Sequence, residues 1–312
     1  MADPLLLVFV DGVGLGAAEP DNPFVTAPTP ALDDILGGPL VRTSVGWRGS
    51  VLLGALDACL GVPGLPQSAT GQTALFTGVN APLLVGRHVV AFPGPRLGRV
   101  LEDHGVFRRA REAGLRCAFA NAFSARYHEL VASRRLRRSA SVVLAESADV
   151  RLRDLDDLRA NRALTWDLER DLIARGDHER IAPVSAAEAG RHLHDLALRH
   201  DLTLYETFLT DLAGHRRGPI EPREAVRRLD DFLGGLLARA REATAAREAL
   251  TVVVTSDHGN LEESSHRRHT RNQVPLLAWG PCAATFERVR SLVGIVDALL
   301  PDDRRPPCWE RS

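Results

Sequence analysis

The sequence contains no lysine, so all 39 of its basic residues are arginine. This absence excludes Schiff-base chemistry and the lysine-dependent P-loop, because both need a primary amine on a side chain. The four cysteines (Cys59, Cys117, Cys282 and Cys308) show no C-x-x-C spacing. That pattern argues against a zinc ribbon or a disulfide framework, and it predicts reduced thiols in a cytoplasmic protein.

Excess charge of either sign is also missing. The 40 acidic residues nearly balance the basic ones, for a formal net charge of -1. We therefore expect neither nucleic acid nor a membrane surface as a partner, and the sequence carries no signal for an oligomeric state. The N-terminal apolar run "LLLVFV" is too short for a signal peptide or a membrane span, and it reads as a buried strand.

Short apolar runs alternate with helical patterns along the chain. Runs that end in Asp, Gly or Asn are typical of strands buried on both faces of a mostly parallel sheet; they are "LLLVFV", "CAFANAF", "LTLYETFL", "LTVVVTS" and "VPLLAWG". Helices are predicted from Pro30, over "LGRVLEDHGVFRRAREAG" up to Gly114, from Ser185 with Glu188 in capping-box register, and from Pro222. The alternation predicts an α/β fold, a doubly wound and mostly parallel sheet flanked by helices.

The middle of the chain departs from this alternation. Residues 124–183 are rich in arginine and aspartate, and they include a helical pattern, "LDDLRANRALTWDLERDLIARG". The only strand candidate there is the weaker "SASVVLAES". We interpret residues 1–123 and 184–312 as one catalytic core and residues 124–183 as a small inserted cap. Two extra surface helices are the alternative interpretation.

Candidate metal ligands follow several predicted strands. Ligands in α/β proteins bind beyond the carboxyl ends of the strands, where these residues are expected to meet. Aspartate and histidine together form a mixed oxygen and nitrogen set that suits two divalent cations. The candidates are Asp11 in "FVDGVG", Asp211 and His215 in "TDLAGH", Asp257 and His258 in "SDHGN", and His269 in "RHTRNQVP".

Ser68 precedes a predicted helix in "LPQSATGQTALFTG". A serine at this place is commonly an N-cap. A helix N-terminus also favours an anion, and a nearby dication would lower the pKa of the hydroxyl, which would make Ser68 a nucleophile. Both readings stay open on the residues alone.

These motifs resemble the alkaline phosphatase superfamily, because "FVDGVG", "SATGQTALFTG", "TDLAGH", "TSDHGN" and "HTRNQVP" occur in the order seen there. They look most like the branch that contains cofactor-independent phosphoglycerate mutase and phosphopentomutase. The resemblance implies an alkaline-phosphatase-like core with two metals, usually Mn²⁺ or Zn²⁺, and a phosphorylated serine or threonine. It covers about residues 1–123 and 200–300.

The resemblance also implies roles for individual residues. Asp11, Ser68, Asp257 and His258 would hold one metal, and Asp211, His215 and His269 the other. Ser68 would be the nucleophile, because it lies ten residues before Gly78 in the family pattern. Thr70 and Thr73 are the alternative hydroxyls for the nucleophile, and His266 is the alternative to His269.

Three further residues are candidate substrate contacts. Arg87 and His88 follow the nucleophile helix, where a guanidinium fork would meet a phosphate; the alternative is a surface arginine beside a polar loop. Asn80 is either a donor to a phosphoryl oxygen or a turn residue before Pro82.

Phosphoryl transfer to water or to a substrate hydroxyl separates a hydrolase from a mutase. The resembled phosphoglycerate mutases have a large closing domain, whereas this chain has about 60 spare residues, so water should compete well for the phosphoenzyme. We therefore expect a phosphatase or phosphodiesterase acting on a small phosphorylated metabolite. A phosphomutase is the second hypothesis, and a non-catalytic protein that binds metals and a phosphorylated ligand is the third. Sulfatase chemistry is disfavoured, because no C-x-P-x-R pattern is present.

Overall fold

A computed structural model describes residues 3–172, 181–218, 220–245 and 249–300. One seven-stranded sheet organises this part of the chain. Its strands are β1 (Leu5–Val10), β2 (Gly46–Arg48), β3 (Val51–Leu56), β4 (Cys117–Phe119), β5 (Leu202–Thr207), β6 (Thr251–Thr255) and β7 (Val274–Trp279).

The strand order in the sheet is β2-β3-β7-β6-β1-β5-β4. β1 pairs in parallel with β5 and β6, and β4 continues the parallel block beside β5. β7 is antiparallel to both β6 and β3, and β2 is antiparallel to β3. Five strands therefore run in one direction and two against it, which confirms the predicted mostly parallel sheet.

Helices cover both faces of the sheet. One face packs against α3, α5, α6, α8 and α13, and the other against α2, α10 and α12. The helices are α1 (Pro23–Thr26), α2 (Pro30–Leu36), α3 (Ser68–Thr77), α4 (Ala81–Val85), α5 (Pro95–His104), α6 (Val106–Glu112), α7 (Ala125–Ala132), α8 (Ala140–Ser147), α9 (Leu155–Arg159), α10 (Ala186–Ala197), α11 (Leu209–Gly214), α12 (Pro222–Ala245) and α13 (Ile295–Leu299).

The central strand β1 shows why its sequence is continuously apolar. Successive side chains of a strand point to opposite faces. Leu5, Leu7 and Phe9 join the hydrophobic core on the α3 face, while the alternate residues join the core on the α12 face. All six residues are buried, so a polar residue at any of these positions would lose its hydration without gaining a partner.

Two local predictions in the middle of the chain are wrong. The strand candidate "SASVVLAES" is helix α8, whose N-terminus is capped by Ser139 accepting from the amide of Val142. A short apolar run does not by itself distinguish a buried strand from a buried helix. The helix predicted from Leu155 ends at Arg159, and residues 173–176 of the predicted helix lie outside the described residues. Asn161 and Leu168 then adopt positive φ, which breaks the helical path.

Three further details differ from the sequence-based expectation. The hairpin of β2 and β3 was not predicted, because β2 has only three residues, none of them buried. The helical pattern after Pro95 divides into α5 and α6 at Gly105, whose backbone is extended. The expectation of four reduced thiols is wrong at Cys282, which is disulfide-bonded. Cys59 and Cys117 are free, and Cys308 lies outside the described residues.

The predicted division into a core and a cap at 124–183 stays a prediction. Within that segment, α8 is buried in the same hydrophobic core as α3, α5 and α6. Residues near 164 join the edge of the sheet through backbone bonds between Leu164 and Ala120 and between Ala122 and Leu164. None of the described helices has both the length and the apolar character needed to cross a membrane.

Candidate metal centre

Polar side chains collect at the carboxyl edge of the parallel strands. Asp11 directly follows β1, and Asp257 and His258 come two and three residues after the end of β6. The connection after β5 leads at once into α11, which carries Asp211. His269 reaches the same edge because β7 runs antiparallel to β6, which places the residues before β7 where those after β6 emerge.

The first cluster, which we call the Asp211 group, consists of Asp211, His215 and His269. The carboxylate Oδ1 of Asp211 lies 3.4 Å from Nε2 of His215 and 3.6 Å from Nε2 of His269. The two Nε2 atoms are 3.0 Å apart. The predicted ligands of one metal are therefore brought together around a single point.

The contacts of Nδ1 in His215 and His269 decide which ring nitrogen carries the proton in the neutral imidazole. Nδ1 of His215 is 2.7 Å from the carbonyl oxygen of Arg267, and Nδ1 of His269 is 2.8 Å from that of Pro66. A carbonyl oxygen only accepts, so in the neutral rings both Nδ1 atoms carry the proton and both Nε2 atoms keep a lone pair. Two lone pairs and a carboxylate oxygen facing one another are stabilised by a cation.

The second cluster, the Asp257 group, consists of Asp11, Asp257 and His258, all of them buried. Nε2 of His258 lies 3.3 Å from Oδ1 of Asp11 and 3.6 Å from Oδ2 of Asp257. Oδ1 of each aspartate is buried without a hydrogen-bond partner among the described residues. Buried carboxylate oxygens are costly unless they are satisfied, and a divalent cation would satisfy both.

The two groups adjoin each other. The rings of His258 and His269 stack with their centroids 3.6 Å apart and an interplanar angle of 16°. One histidine belongs to each group, so two cations held by the groups would be close neighbours, as in two-metal sites.

Burial and mutual repulsion shift the pKa values of these side chains. Burial raises the pKa of Asp11, with further contributions from Asp257 and Asp211. Burial, and then the charge of Asp211, raise the pKa of Asp257 to about 7. Burial lowers the pKa of His258 and of His269. Without a cation the site thus favours neutral side chains, whereas a bound cation would favour the charged carboxylates.

Ser68 is the first residue of α3, and its hydroxyl oxygen lies 3.0 Å from Nε2 of His258. The N-cap position is occupied by Gln67, so the interpretation of Ser68 as an N-cap is wrong. The hydroxyl of Thr70 donates to the carbonyl of Gln67, and that of Thr73 donates to the carbonyl of Ala69. Only Ser68 among these three hydroxyls faces the Asp257 group.

Gln72 is a site residue that the sequence reasoning missed. Its amide Nε2 lies 3.2 Å from Oδ2 of Asp257 and 3.4 Å from Oδ2 of Asp11. One donor group therefore holds the carboxylates of two different strand ends. Its position four residues after Ser68, one helical turn along α3, was the available signal.

Glu262 was missed as well, and it orders the loops of the site. Its carboxylate accepts from the backbone amides of Gly14 and Asn260, from the hydroxyl of Thr270 and from the side chain of Asn272. These residues lie in the loops after β1 and β6 and in the segment before β7. A single buried carboxylate thus fixes two of the loops that carry the candidate ligands, the loop after β1 and the loop that joins β6 to β7.

Glycines allow the ligands to approach the backbone. Gly12 has φ of +74°, and a Cβ added there would lie 2.7 Å from Oδ1 of Asp211. A Cβ on Gly71 would lie 2.8 Å from the backbone oxygen of Asp257. Both positions need glycine because a side chain would displace a candidate ligand.

Replacing Gln72 by leucine is expected to weaken metal binding by about 10- to 100-fold, as other partners of metal ligands do. The two carboxylates would lose the donor that holds them together. Metal titration of the apo-protein against a chelating dye measures the change. Gln273→Leu is the control, because Gln273 is exposed. Equal affinities in the two variants would contradict a positioning role for Gln72.

Two of the three candidate substrate contacts, Asn80 and His88, have side chains in contact with backbone groups of the protein. Asn80 caps α4 by accepting from the amide of Leu83, and it donates to the carbonyl of Leu60. Nε2 of His88 is 3.2 Å from the carbonyl of Val62, and Arg87 is exposed. The turn reading of Asn80 accounts for its contacts, and a substrate role for these residues stays a prediction.

Part of the chain is similar in sequence to a metalloenzyme family and to phosphopentomutases. Residues 180–299 match the family model of the metalloenzyme superfamily. The phosphopentomutase of Syntrophotalea carbinolica is 23% identical over 222 residues, which cover 70% of this chain and 54% of that protein. The phosphopentomutase of Clostridium beijerinckii is 36% identical over 70 residues, 22% of this chain and 16% of that protein. The chain thus spans about half the length of the first relative and less of the second.

Solved structures show the same fold. The PH0037 protein of Pyrococcus horikoshii superposes with a TM-score of 0.56 at 15% identity, covering 98% of this chain and 99% of that one. The alkaline phosphatase of the Antarctic bacterium TAB5 gives a TM-score of 0.51 at 14% identity, covering 96% and 98%. The chain therefore has an alkaline phosphatase-like fold, and its residues 180–299 are similar to the metalloenzyme superfamily.

Proposed function

We propose that the protein is a two-metal phosphohydrolase that acts on a small phosphorylated metabolite through a phosphoserine at Ser68. The observation that carries the proposal is the position of the Ser68 hydroxyl, 3.0 Å from Nε2 of His258, beside two adjoining groups of metal donors. The phosphopentomutase relatives and the family match support metal-dependent phosphoryl transfer as the reaction class.

The Asp211 group and the Asp257 group would each hold one divalent cation. Nitrogen and carboxylate donors in this proportion suit Zn²⁺ and Mn²⁺. When bound, such cations would lower the pKa of a coordinated hydroxyl and neutralise charge on a transferring phosphoryl group. Ser68 completes the donors of the Asp257 group, because it shares the contact with His258.

The chain itself places the nucleophile. Ser68 opens the ten-residue helix α3, so the backbone amides and the dipole of the helix favour negative charge beside its oxygen. Gln72, one turn later, holds the carboxylates of Asp11 and Asp257 against that helix. The deprotonated hydroxyl oxygen of Ser68 would attack phosphorus, the P–O bond to the leaving group would break, and the leaving oxygen would take up a proton. Water would then attack the phosphoserine, the bond between Ser68 and phosphorus would break, and the serine oxygen would regain a proton as phosphate is released.

Transfer to water is favoured because part of the segment expected to act as a cap, helix α8, packs into the core of the protein. Helix α8 lies in the hydrophobic core beside α3, α5 and α6, with six of its eight residues buried. The side chain of His215 keeps 21% of its exposure. Both observations support a site that water reaches, and water competes for a phosphoenzyme that is not enclosed.

A phosphomutase is the second candidate, and the observation in its favour is that both curated relatives are phosphopentomutases. It would use the same serine and donor groups, but the phosphoryl group would return to a hydroxyl of the substrate. A protein that binds metal and a phosphorylated ligand without turnover is the third candidate. Neither the placement of the donors nor that of Ser68 separates these candidates, whereas the reaction product does.

The deciding experiment is elemental analysis of the purified protein, paired with assays of phosphomonoesters and phosphodiesters in Mn²⁺ and Zn²⁺. About two metals per chain and metal-dependent release of phosphate are expected for a two-metal hydrolase. Phosphorus NMR of the products separates free phosphate from an isomerised ester, which would indicate the mutase. Two metals without turnover would indicate the binding protein, and a chain that binds no metal would overturn the proposal.

Metal affinity is expected to fall with acidity. Asp257, whose pKa burial raises to about 7, must lose its proton before it binds a cation, whereas the lowered pKa values of His258 and His269 leave these rings already neutral. The apparent affinity should therefore drop about tenfold per pH unit below pH 7 for each proton displaced. Competition titrations between pH 5.5 and 8 measure it, and a constant affinity below pH 7 would contradict this assignment.

A further inference from the structure

Two arginine pairs flank ligands of the Asp211 group. Arg216 and Arg217 follow His215, and Arg267 and Arg268 precede His269. All four, which we call the rim arginines, are exposed.

Hydrogen bonds join the two loops that carry these arginines. The guanidinium Nη2 of Arg216 donates to the carbonyl of Ser264 at 2.8 Å, and Nδ1 of His215 donates to the carbonyl of Arg267 at 2.7 Å. The side chain of Asn260 donates to Oδ1 of Asp211 at 2.8 Å. These bonds join the two loops, so the four rim arginines lie on neighbouring loops beside the Asp211 group.

In the described part of the chain, the positive charge of this border has no ion-pair partner. Among the described residues, none of the rim arginines forms an ion pair with a carboxylate. The carboxylate of Glu263 is nearby, but it contacts His266 at 3.3 Å and the amide of Asn272 at 2.7 Å.

Other arginines of the protein are neutralised. In α12, Arg227 contacts the carboxylates of Glu224 and Asp231, and Arg228 contacts those of Glu169, Asp171 and Glu224. The chain as a whole has a formal net charge of -1. The four rim arginines, which form no ion pair among the described residues, thus give a local positive surface that would attract an anion.

We propose that the rim arginines bind a second phosphate of the substrate, so that the preferred substrates are small bisphosphorylated esters. The inference rests on the proposed function and names its substrate class. The two donor groups and Ser68 would take the phosphate that is transferred, and guanidinium forks match the oxygens of a further phosphate. A substrate with one phosphate would leave the rim charges unused.

The test compares glucose 1,6-bisphosphate with glucose 6-phosphate as substrates of the Mn²⁺-loaded enzyme and of the double variant Arg217→Gln/Arg268→Gln. The described side chains of these two arginines form no hydrogen bonds within the protein, so the variant is expected to fold. We expect the wild type to prefer the bisphosphate, and the variant to lose about tenfold of that preference in KM, as charge-assisted hydrogen bonds predict. Added salt should reduce the preference of the wild type and have less effect on the variant.

Arg48→Gln is the matched control. Arg48 is exposed and pairs with Val51, the first residue of β3. Because β3 runs in the same direction as β6, Arg48 lies at the amino ends of the parallel strands, opposite the edge that carries the candidate metal centre. The preference for the bisphosphate should be unchanged in this variant. An equal loss in Arg48→Gln and in the double variant would overturn the inference, because the effect would then come from overall charge.

Binding separates this inference from the proposed function. Calorimetric titration of glucose 1,6-bisphosphate into Mn²⁺-loaded Ser68→Ala protein, with and without the double substitution, needs no turnover. Weaker binding in the triple variant supports the rim site even if the wild type hydrolyses neither sugar phosphate. Equal binding by both proteins overturns the rim site even if the hydrolase is established.

Discussion

Replacing Ser68 by alanine is expected to abolish phosphate release, with a loss of about 10⁴-fold or more, as the removal of a catalytic nucleophile causes in other enzymes. The metal content should stay near that of the wild type, because the aspartate and histidine donors of both groups remain and only the hydroxyl donor is lost. Steady-state kinetics and elemental analysis of the same preparation provide both values. A variant that keeps its activity would show that Ser68 is not the nucleophile.

Thr70→Ala and Thr73→Ala are the controls for this assignment. Both residues lie in the same helix as Ser68, and both hydroxyls donate to backbone carbonyls of the preceding turn. Their removal should leave turnover within a few-fold of the wild type, since a neutral hydrogen bond contributes only about 1 kcal/mol. A large loss in either variant with little loss in Ser68→Ala would move the nucleophile along the helix.

The meeting of candidate ligands at one edge of the sheet could be predicted from the sequence for a physical reason. Asp11 and Asp257 follow continuous apolar runs, and parallel strands of this kind bring their carboxyl ends to one edge. The meeting of these aspartates therefore follows from strand direction alone. Asp211 and His215 lie four residues apart, a spacing that places two side chains on one face of a helical turn.

Other parts of the site were outside the reach of that reasoning. His269 joins the Asp211 group because β7 is antiparallel, and nothing in the run "VPLLAWG" reports strand direction. Gln72, in helix α3, and Glu262, in the loop after β6, contact segments that are distant from them in sequence. Such residues can be identified only from the three-dimensional structure, because glutamine and glutamate are common in helices and turns whatever their role.

Helix α8 and strand β2 also could not be predicted from the sequence. Helix α8 and a buried strand would share an apolar run of this length, and the capping bond from Ser139 becomes visible only in three dimensions. The weak alternation of β2 gave no periodic signal. Long, strongly patterned elements such as α12 were identified correctly, because their period is repeated over many residues.

His269→Ala is expected to remove the cation of the Asp211 group and, with it, most of the activity. Nε2 of His269 lies 3.0 Å from Nε2 of His215 and 3.6 Å from Oδ1 of Asp211, and its Nδ1 is fixed by the carbonyl of Pro66. The loss of a residue that only supports a ligand costs about 10- to 100-fold in metal affinity, so the loss of a ligand should cost more than about 100-fold. The stoichiometry should fall from about two metals per chain towards one.

His266→Ala tests whether this effect belongs to one histidine or to the loop. His266 lies three residues before His269, but its Nε2 is 3.3 Å from the carboxylate of Glu263, and its Nδ1 accepts from the amide of Arg268. Both of its ring nitrogens are thus engaged by residues outside the Asp211 group, so this variant should keep both metals and its activity. If His266→Ala lost a metal and His269→Ala did not, the two histidines would exchange roles, and the Asp211 group would have to form by movement of the loop that carries them.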